Sequence, residues 1–157
     1  MNGLRRRIAE VQVAFMLLTR LPAGRLGGEP PELAAAKWAF PLTGLIVGGS
    51  FASVYVTMSN LALPASLAAI LALGVSVMMT GGLHEDGLAD CADGFGGGQT
   101  KDQKLAIMKD SRVGSYGVLA LVLVIAARMM ALATLPATAQ SLILLISLAM
   151  VSRMMMV

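Results

Sequence analysis

Long apolar runs separated by short polar stretches set the pattern of this chain. Residues 4–21 carry Ile8, Val11, Phe15 and Leu18 at helical spacing, with Arg5, Gln12 and Thr19 on other faces. The unbroken apolar stretch from Val13 to Leu18 is too short to cross a bilayer. The pattern therefore predicts an interfacial helix with its arginines among anionic headgroups. Leu21-Pro22-Ala23-Gly24 ends that helix, and a loop rich in Gly and Pro follows over 23–32. No signal peptide is read, because no small-residue cleavage site follows the short apolar run.

The first full membrane span is predicted over 38–60. Trp38 stands where an interfacial aromatic belongs, and Pro41 falls in the first turn, where a missing N–H costs little. Gly44, Gly48 and Gly49 offer a small-residue face for close helix contact. Pro64 opens a second span over 65–83, which feeds directly into a polar motif. A third span is predicted over 116–135, ending before Pro136, and a fourth over 141–157. The fourth meets no cap or polar stop, so the chain is expected to be the first part of a longer protein.

Residues 84–114 are the polar centre. Gly94-Phe95-Gly96-Gly97-Gly98 is expected to break the motif helix and turn the backbone sharply. Thr100 with Gln103 has the spacing of a capping box, and predicts a short helix over 101–109. That helix would return Asp110-Ser111-Arg112-Val113-Gly114 to the membrane surface.

Composition agrees with this pattern. Of 157 residues, 57% are hydrophobic and only 13% charged, where a soluble domain carries about 25% charged residues. The fold class read here is all-α: one polytopic transmembrane helix bundle over 1–157, with a cytoplasmic acidic segment. The single cysteine, Cys91, excludes an internal disulfide and reads as a packing residue. Twelve basic residues face nine acidic ones. Arg5, Arg6, Arg7, Arg20, Arg25 and Lys37 precede the first span, and Lys101, Lys104, Lys109 and Arg112 lie in the central loop. The connections at 60–64 and 136–140 carry no charge. Basic loops stay in the cytoplasm, so the N-terminus and the acidic motif are placed on the cytoplasmic face of the cell (inner) membrane. Arg128 and Arg153 fall inside spans, where an arginine faces a partner or a polar cavity, or else snorkels from a shifted span.

The stretch from His84 to Gly94 holds four of the nine acidic residues and the only histidine. On one α-helix, Asp86, Asp90 and Asp93 fall within about 60° of one another. Like charges so placed repel unless a cation sits among them or water solvates them. A solvated acidic face is the plain alternative; a divalent ion held by hard oxygen ligands is the reading preferred. Such an ion would neutralise a pyrophosphate and activate an attacking hydroxyl. Lys109 and Arg112 are candidate phosphate contacts, helped by backbone N–H groups around Gly96 to Gly98. Asp110 either completes the metal site or is a loop residue after the short helix. His84 lies opposite Asp86 on the wheel, as a substrate contact or an interfacial residue, and Glu85 stands about 100° away. The chemistry is that of an integral-membrane, metal-dependent phosphoryl-type transferase. A comparison with phosphatidyltransferases that use CDP-alcohols is partial: Asp90-Cys91-Ala92-Asp93-Gly94 opens their pattern, but Gly97-Gly98 stands where Ala-Arg belongs.

Four segments occur in an order that resembles another family. They are Phe15-Met16-Leu17-Leu18-Thr19-Arg20-Leu21-Pro22, Phe40-Pro41-Leu42-Thr43-Gly44, Thr80-Gly81-Gly82-Leu83-His84-Glu85-Asp86-Gly87-Leu88-Ala89-Asp90 with Asp93-Gly94, and Met108-Lys109-Asp110-Ser111-Arg112-Val113-Gly114. The chain is similar to the cobalamin synthases, the adenosylcobinamide-GDP ribazoletransferases. The resemblance implies that α-ribazole, or its 5′-phosphate, attacks the phosphate joined to adenosylcobinamide and that GMP leaves. It implies Mg²⁺ as the ion. The residues placed in the site are Asp86, Asp90 and Asp93 for metal, Asp110 as a further ligand or base, and Lys109, Arg112 and His84 toward substrate. The bilayer is the expected environment, no nucleic-acid partner is expected, and an oligomer is compatible with the sequence. Two rivals stay open: a phosphotransferase acting on a nucleotide-activated lipid alcohol, and an ion-coupled transporter using the acidic cluster and Arg128.

Overall fold

The computed structural model describes residues 3–156, and among these the only regular structure is helical. Helix α1 spans Gly3–Leu18. Its last helical bond is the Thr19 N–H to the Phe15 carbonyl at 3.0 Å, which the Thr19 hydroxyl also reaches at 2.8 Å, and the helix ends before the expected residue 21. The next N–H, that of Arg20, donates to the Met79 carbonyl at 2.7 Å. The chain after α1 is thus tied to the far end of a later helix. The buried face of α1 is Ala9, Glu10, Ala14 and Leu18, while Ile8 of the expected apolar stripe is exposed. Glu10 accepts from Arg6, Arg7 and the Trp38 indole, the last at 2.7 Å. The Trp38 hydrogen bond outweighs burial and, with Arg7 and Arg6, holds Glu10 below the usual carboxylate range.

Helix α2, Leu33–Ala36, continues through a 3-10 turn, Lys37–Ala39, into α3, Phe40–Asn60. Together they are long and apolar enough to cross a membrane. Helix α8, Ala139–Met154, lies against α3. A Cβ on Gly44 would stand 2.6 Å from the Ala149 carbonyl oxygen, and one on Gly48 would stand 2.5 Å from the Ala149 Cβ. These two glycines let the backbones meet. Gly49, expected on the same face, points into open space.

Helix α4 spans Ala65–Thr80 and α7 spans Ser115–Ala133. The core lies where α3, α4, α7 and α8 meet, around Ala52, Tyr55, Ala68, Ala69, Ala72, Leu73, Leu132 and Leu145. The Tyr55 hydroxyl sits 2.6 and 2.7 Å from the carbonyls of Leu132 and Leu135, closing the end of α7. The outer face of α7 (Val118, Leu119, Val122, Leu123) is exposed, as a lipid-facing surface would be.

Four expectations are corrected. The span 65–83 stops at Thr80, because Gly81 and Gly82 take left-handed φ values of 69° and 74°. The motif helix α5, Leu83–Gly97, leaves α4 at 90° instead of continuing it. The glycines from 94 to 97 do not break α5, which ends at Gly98 once its N–H has closed on the Gly94 carbonyl at 3.1 Å. The fourth span stops at Met154, and its expected end at Val157 lies outside the described residues. Two of the four expected spans, α2–α3 and α7, are therefore long enough to cross alone. The bent α4–α5 pair passes the same test only if taken together, and α8 is shorter. The short helix α6, Lys101–Met108, forms as expected, with both halves of its Thr100–Gln103 capping box present.

Candidate functional site

Two glycines make the site possible. A backbone with two consecutive left-handed residues favours glycine, since a Cβ there meets its own carbonyl. The elbow they form turns the N-terminus of α5 toward the segment after α1. Arg20 crosses over Gly81 so closely that a Cβ on Gly81 would overlap its Nε. Between them opens a cleft of about 650 Å³, walled by Thr19, Arg20, Gly81, Glu85, Asp86 and Val113 among others. Glu85 and Asp86 lie in the first turn of α5, where the helix dipole favours negative charge. Among the described residues, the carboxylates of Asp86 and Asp90 have no hydrogen-bond or ion-pair partner. Asp86 is exposed in the cleft wall, and Asp90 stands one turn along the same helix.

Asp93 has a different environment. It is buried, and its two oxygens accept the N–H of Gly114 at 2.7 Å and of Gly117 at 2.8 Å. These are donors that the first turn of α7 leaves without helical partners, and its dipole also favours the charge. Gly114 and Gly117 press so close that a Cβ on either would overlap the carboxylate. Asp93 is therefore the cap of α7, supplied from another helix. The expected three-carboxylate cluster of Asp86, Asp90 and Asp93 does not form. Among the described residues no group of three or more His, Cys, Asp or Glu side chains is placed to hold a metal. The helical wheel considered α5 alone, and α7 supplies the positive partner that a metal was expected to supply.

Asp110 also lies apart from Asp86. Arg112 grips it through Nη2 at 2.7 Å and Nε at 3.1 Å, and the Arg112 N–H closes the turn onto Oδ1 at 3.1 Å. The guanidinium holds Asp110 below the usual carboxylate range, and Asp110 raises Arg112 in return. The pair borders a second cleft of about 500 Å³ with Asp93, Gly114 and Tyr116. Val113 is common to both clefts. Lys109 is exposed and lines neither. The glycine N–H groups expected to cradle phosphate lie within or at the end of α5, the Gly98 N–H being bonded to Gly94.

His84 does not line the cleft that holds Asp86, and among the described residues its buried Nε2 has no partner. Glu85 accepts from Arg128 at 3.1 Å, which gives that span arginine its partner. The other Glu85 oxygen, Oε2, is buried and unpartnered. Sequence reasoning missed Arg20 as a cleft residue and left Glu85 without a role. The signals were an arginine directly before Leu-Pro at a helix end, and an acid one position ahead of Asp86.

A family model described as cobalamin-5-phosphate synthase matches residues 10–157. The chain is 48% identical to the adenosylcobinamide-GDP ribazoletransferase of Bradyrhizobium diazoefficiens, over 84% of this chain and 51% of that protein. The protein of the same name from Xanthobacter autotrophicus is 48% identical over 85% of this chain and 52% of its own length. That of Shewanella pealeana is 51% identical over 71% and 43%. The chain thus spans about half the length of the curated relatives it matches. No solved structure matches it.

Proposed function

The chain belongs to the cobalamin-5-phosphate synthase family, and from that membership we propose that it serves a membrane transferase joining ribazole, free or as its 5′-phosphate, to adenosylcobinamide-GDP. A ribose hydroxyl oxygen forms a new bond to the phosphorus attached to the corrinoid. The bond from that phosphorus to GMP breaks, GMP leaves with the electron pair, and the hydroxyl proton passes to a site carboxylate or to water. The observation that carries this reading is Asp86, unpartnered in the wall of a cleft that also holds Arg20.

The donor set fits Mg²⁺ in a reduced form. Mg²⁺ is usually bound through one or two carboxylates with substrate phosphates and waters completing its shell. Asp86 and Asp90, one turn apart and without partners among the described residues, suit that role, and Asp93 does not. When bound, the ion would offset pyrophosphate charge and polarise the scissile phosphate. Arg20 faces the same space as a phosphate donor group. Asp110 and Arg112 border the site across Val113, and Lys109 stands outside it. The basic N-terminal segment and central loop support a cytoplasmic placement of this face.

Family membership favours the GDP-linked donor over a CDP-alcohol or an ion gradient. The test is GMP release from adenosylcobinamide-GDP with ribazole or its 5′-phosphate, against Asp86→Asn. Release that depends on Asp86 supports the reading. CMP release from a CDP-alcohol instead, or release indifferent to Asp86, would count against it.

A further inference from the structure

Helices α7 and α8 bring Arg128 and Arg153 to a half-open cavity of about 580 Å³ that α3 and α4 also line. The rest of its wall is mainly apolar, with Phe51, Leu144 and Leu148 among its residues and Ser76, Thr134 and Ser152 as polar exceptions. Arg128 has an anionic partner in Glu85. Among the described residues Arg153 has neutral ones only, the Ala149 carbonyl at 3.3 Å and the Ser152 hydroxyl at 2.9 Å. Two cations against one carboxylate leave a positive charge uncompensated between apolar helices, where such a charge is costly without an anion. His84 beside them contributes no negative charge.

The transferase reading supplies an anion. A product that keeps a 5′-phosphate requires an acceptor whose phosphate is not consumed in the transfer, and that group needs a cationic resting place apart from the pyrophosphate. Resting on that reading, we propose that this cavity binds the ribazole acceptor as its 5′-phosphate. The phosphate meets Arg153 and Arg128, and the planar base lies among the aliphatic side chains. Guanidinium groups match phosphate oxygens in pairs. The volume lies within the range of roughly 300–1,000 Å³ typical of small-molecule pockets. Glu85 joins the two compartments, since it pairs with Arg128 at the cavity and also lines the cleft that holds Asp86. An acceptor seated here has its ribose beside the wall shared with the reacting phosphate.

The experiment is equilibrium binding of ribazole 5′-phosphate to the protein in nanodiscs of phosphatidylcholine. Saturable binding is expected, weakened about tenfold or more by Arg153→Gln and largely kept by Arg153→Lys. Unphosphorylated ribazole should bind more weakly and be indifferent to Arg153→Gln. Ala131→Phe, which fills the cavity from α7, should abolish binding of both without lowering the unfolding midpoint. Equal affinity of wild type and Arg153→Gln, or no saturable binding at all, would overturn the proposal. So would loss of binding when phosphatidylglycerol replaces part of the lipid, since a lipid headgroup would then own the arginines. GMP release is read in the same preparations. Release with an acceptor KM that ignores Arg153 overturns this inference alone, whereas Arg153-dependent binding without GMP release overturns the transferase reading alone.

Discussion

Asp86 and Asp93 share one helix and nearly one face, yet their surroundings give them opposite work. Asp93 is buried against the start of α7, and both its oxygens are occupied by backbone N–H groups. Asp86 stands in an open cleft with no partner among the described residues. The difference comes from what packs on each end of α5: a helix N-terminus at one, and a glycine elbow with an arginine over it at the other. A carboxylate that a neighbouring helix already neutralises needs no cation. One that nothing neutralises is available to a metal or a substrate.

That contrast can be broken most sharply in catalysis. Asp86→Asn should lower GMP release by on the order of a hundredfold or more, with abundance and unfolding midpoint unchanged. Full release by this variant would remove Asp86 from the chemistry. Asp93→Ala should act through the fold instead. It leaves two N–H groups of α7 uncapped in a buried setting, at a cost on the order of 2 kcal/mol. Thermal unfolding in detergent measures this, and an unchanged midpoint would mean that α7 does not depend on Asp93. Gly117→Ala should reproduce part of that loss, because its Cβ displaces the carboxylate.

The elbow sharpens the other side of the comparison. Gly81→Ala places a Cβ at a left-handed position, costing about 1–2 kcal/mol, and also pushes Arg20 aside. Its KM for adenosylcobinamide-GDP should rise more than its unfolding midpoint falls. A change confined to the midpoint would confine Gly81 to the turn.

The helices were legible because they rest on local signals. The Thr100–Gln103 box and the apolar runs act within a few residues, so 101–108 and 115–133 emerged close to their expected bounds. The site was half legible. The acidic motif marked the helix that walls the cleft, and a partner was one of the settings read for Arg128, which pairs with Glu85. The division of labour along α5 was not legible, because it is decided by Gly114 and Gly117, which lie 21 and 24 residues from Asp93. The elbow was hidden for a similar reason: Gly81-Gly82 reads as the end of a span until its backbone conformation is known. Arg112 was read as a free phosphate grip because its side chain's turn back onto Asp110 depends on loop conformation.

The smallest effect belongs to that exposed pair. Arg112→Ala should leave the unfolding midpoint at neutral pH nearly unchanged, as exposed ion pairs contribute little. The sign with pH is fixed by the lowered Asp110 pKa. Whatever the pair contributes is present above the ordinary aspartate range and is lost as pH falls through the lowered value. Wild-type and Arg112→Ala unfolding curves should therefore converge in acid and separate slightly above it. The reverse order would mean that Asp110 is not held ionised by Arg112.

Mn²⁺ binding, followed by electron paramagnetic resonance alongside the unfolding midpoint, tests the division of α5 most directly. Asp86→Asn should lose Mn²⁺ affinity and keep the wild-type midpoint. Asp93→Asn should keep its affinity and unfold earlier. Loss of Mn²⁺ binding in Asp93→Asn with an unchanged midpoint would contradict the account and return Asp93 to the metal.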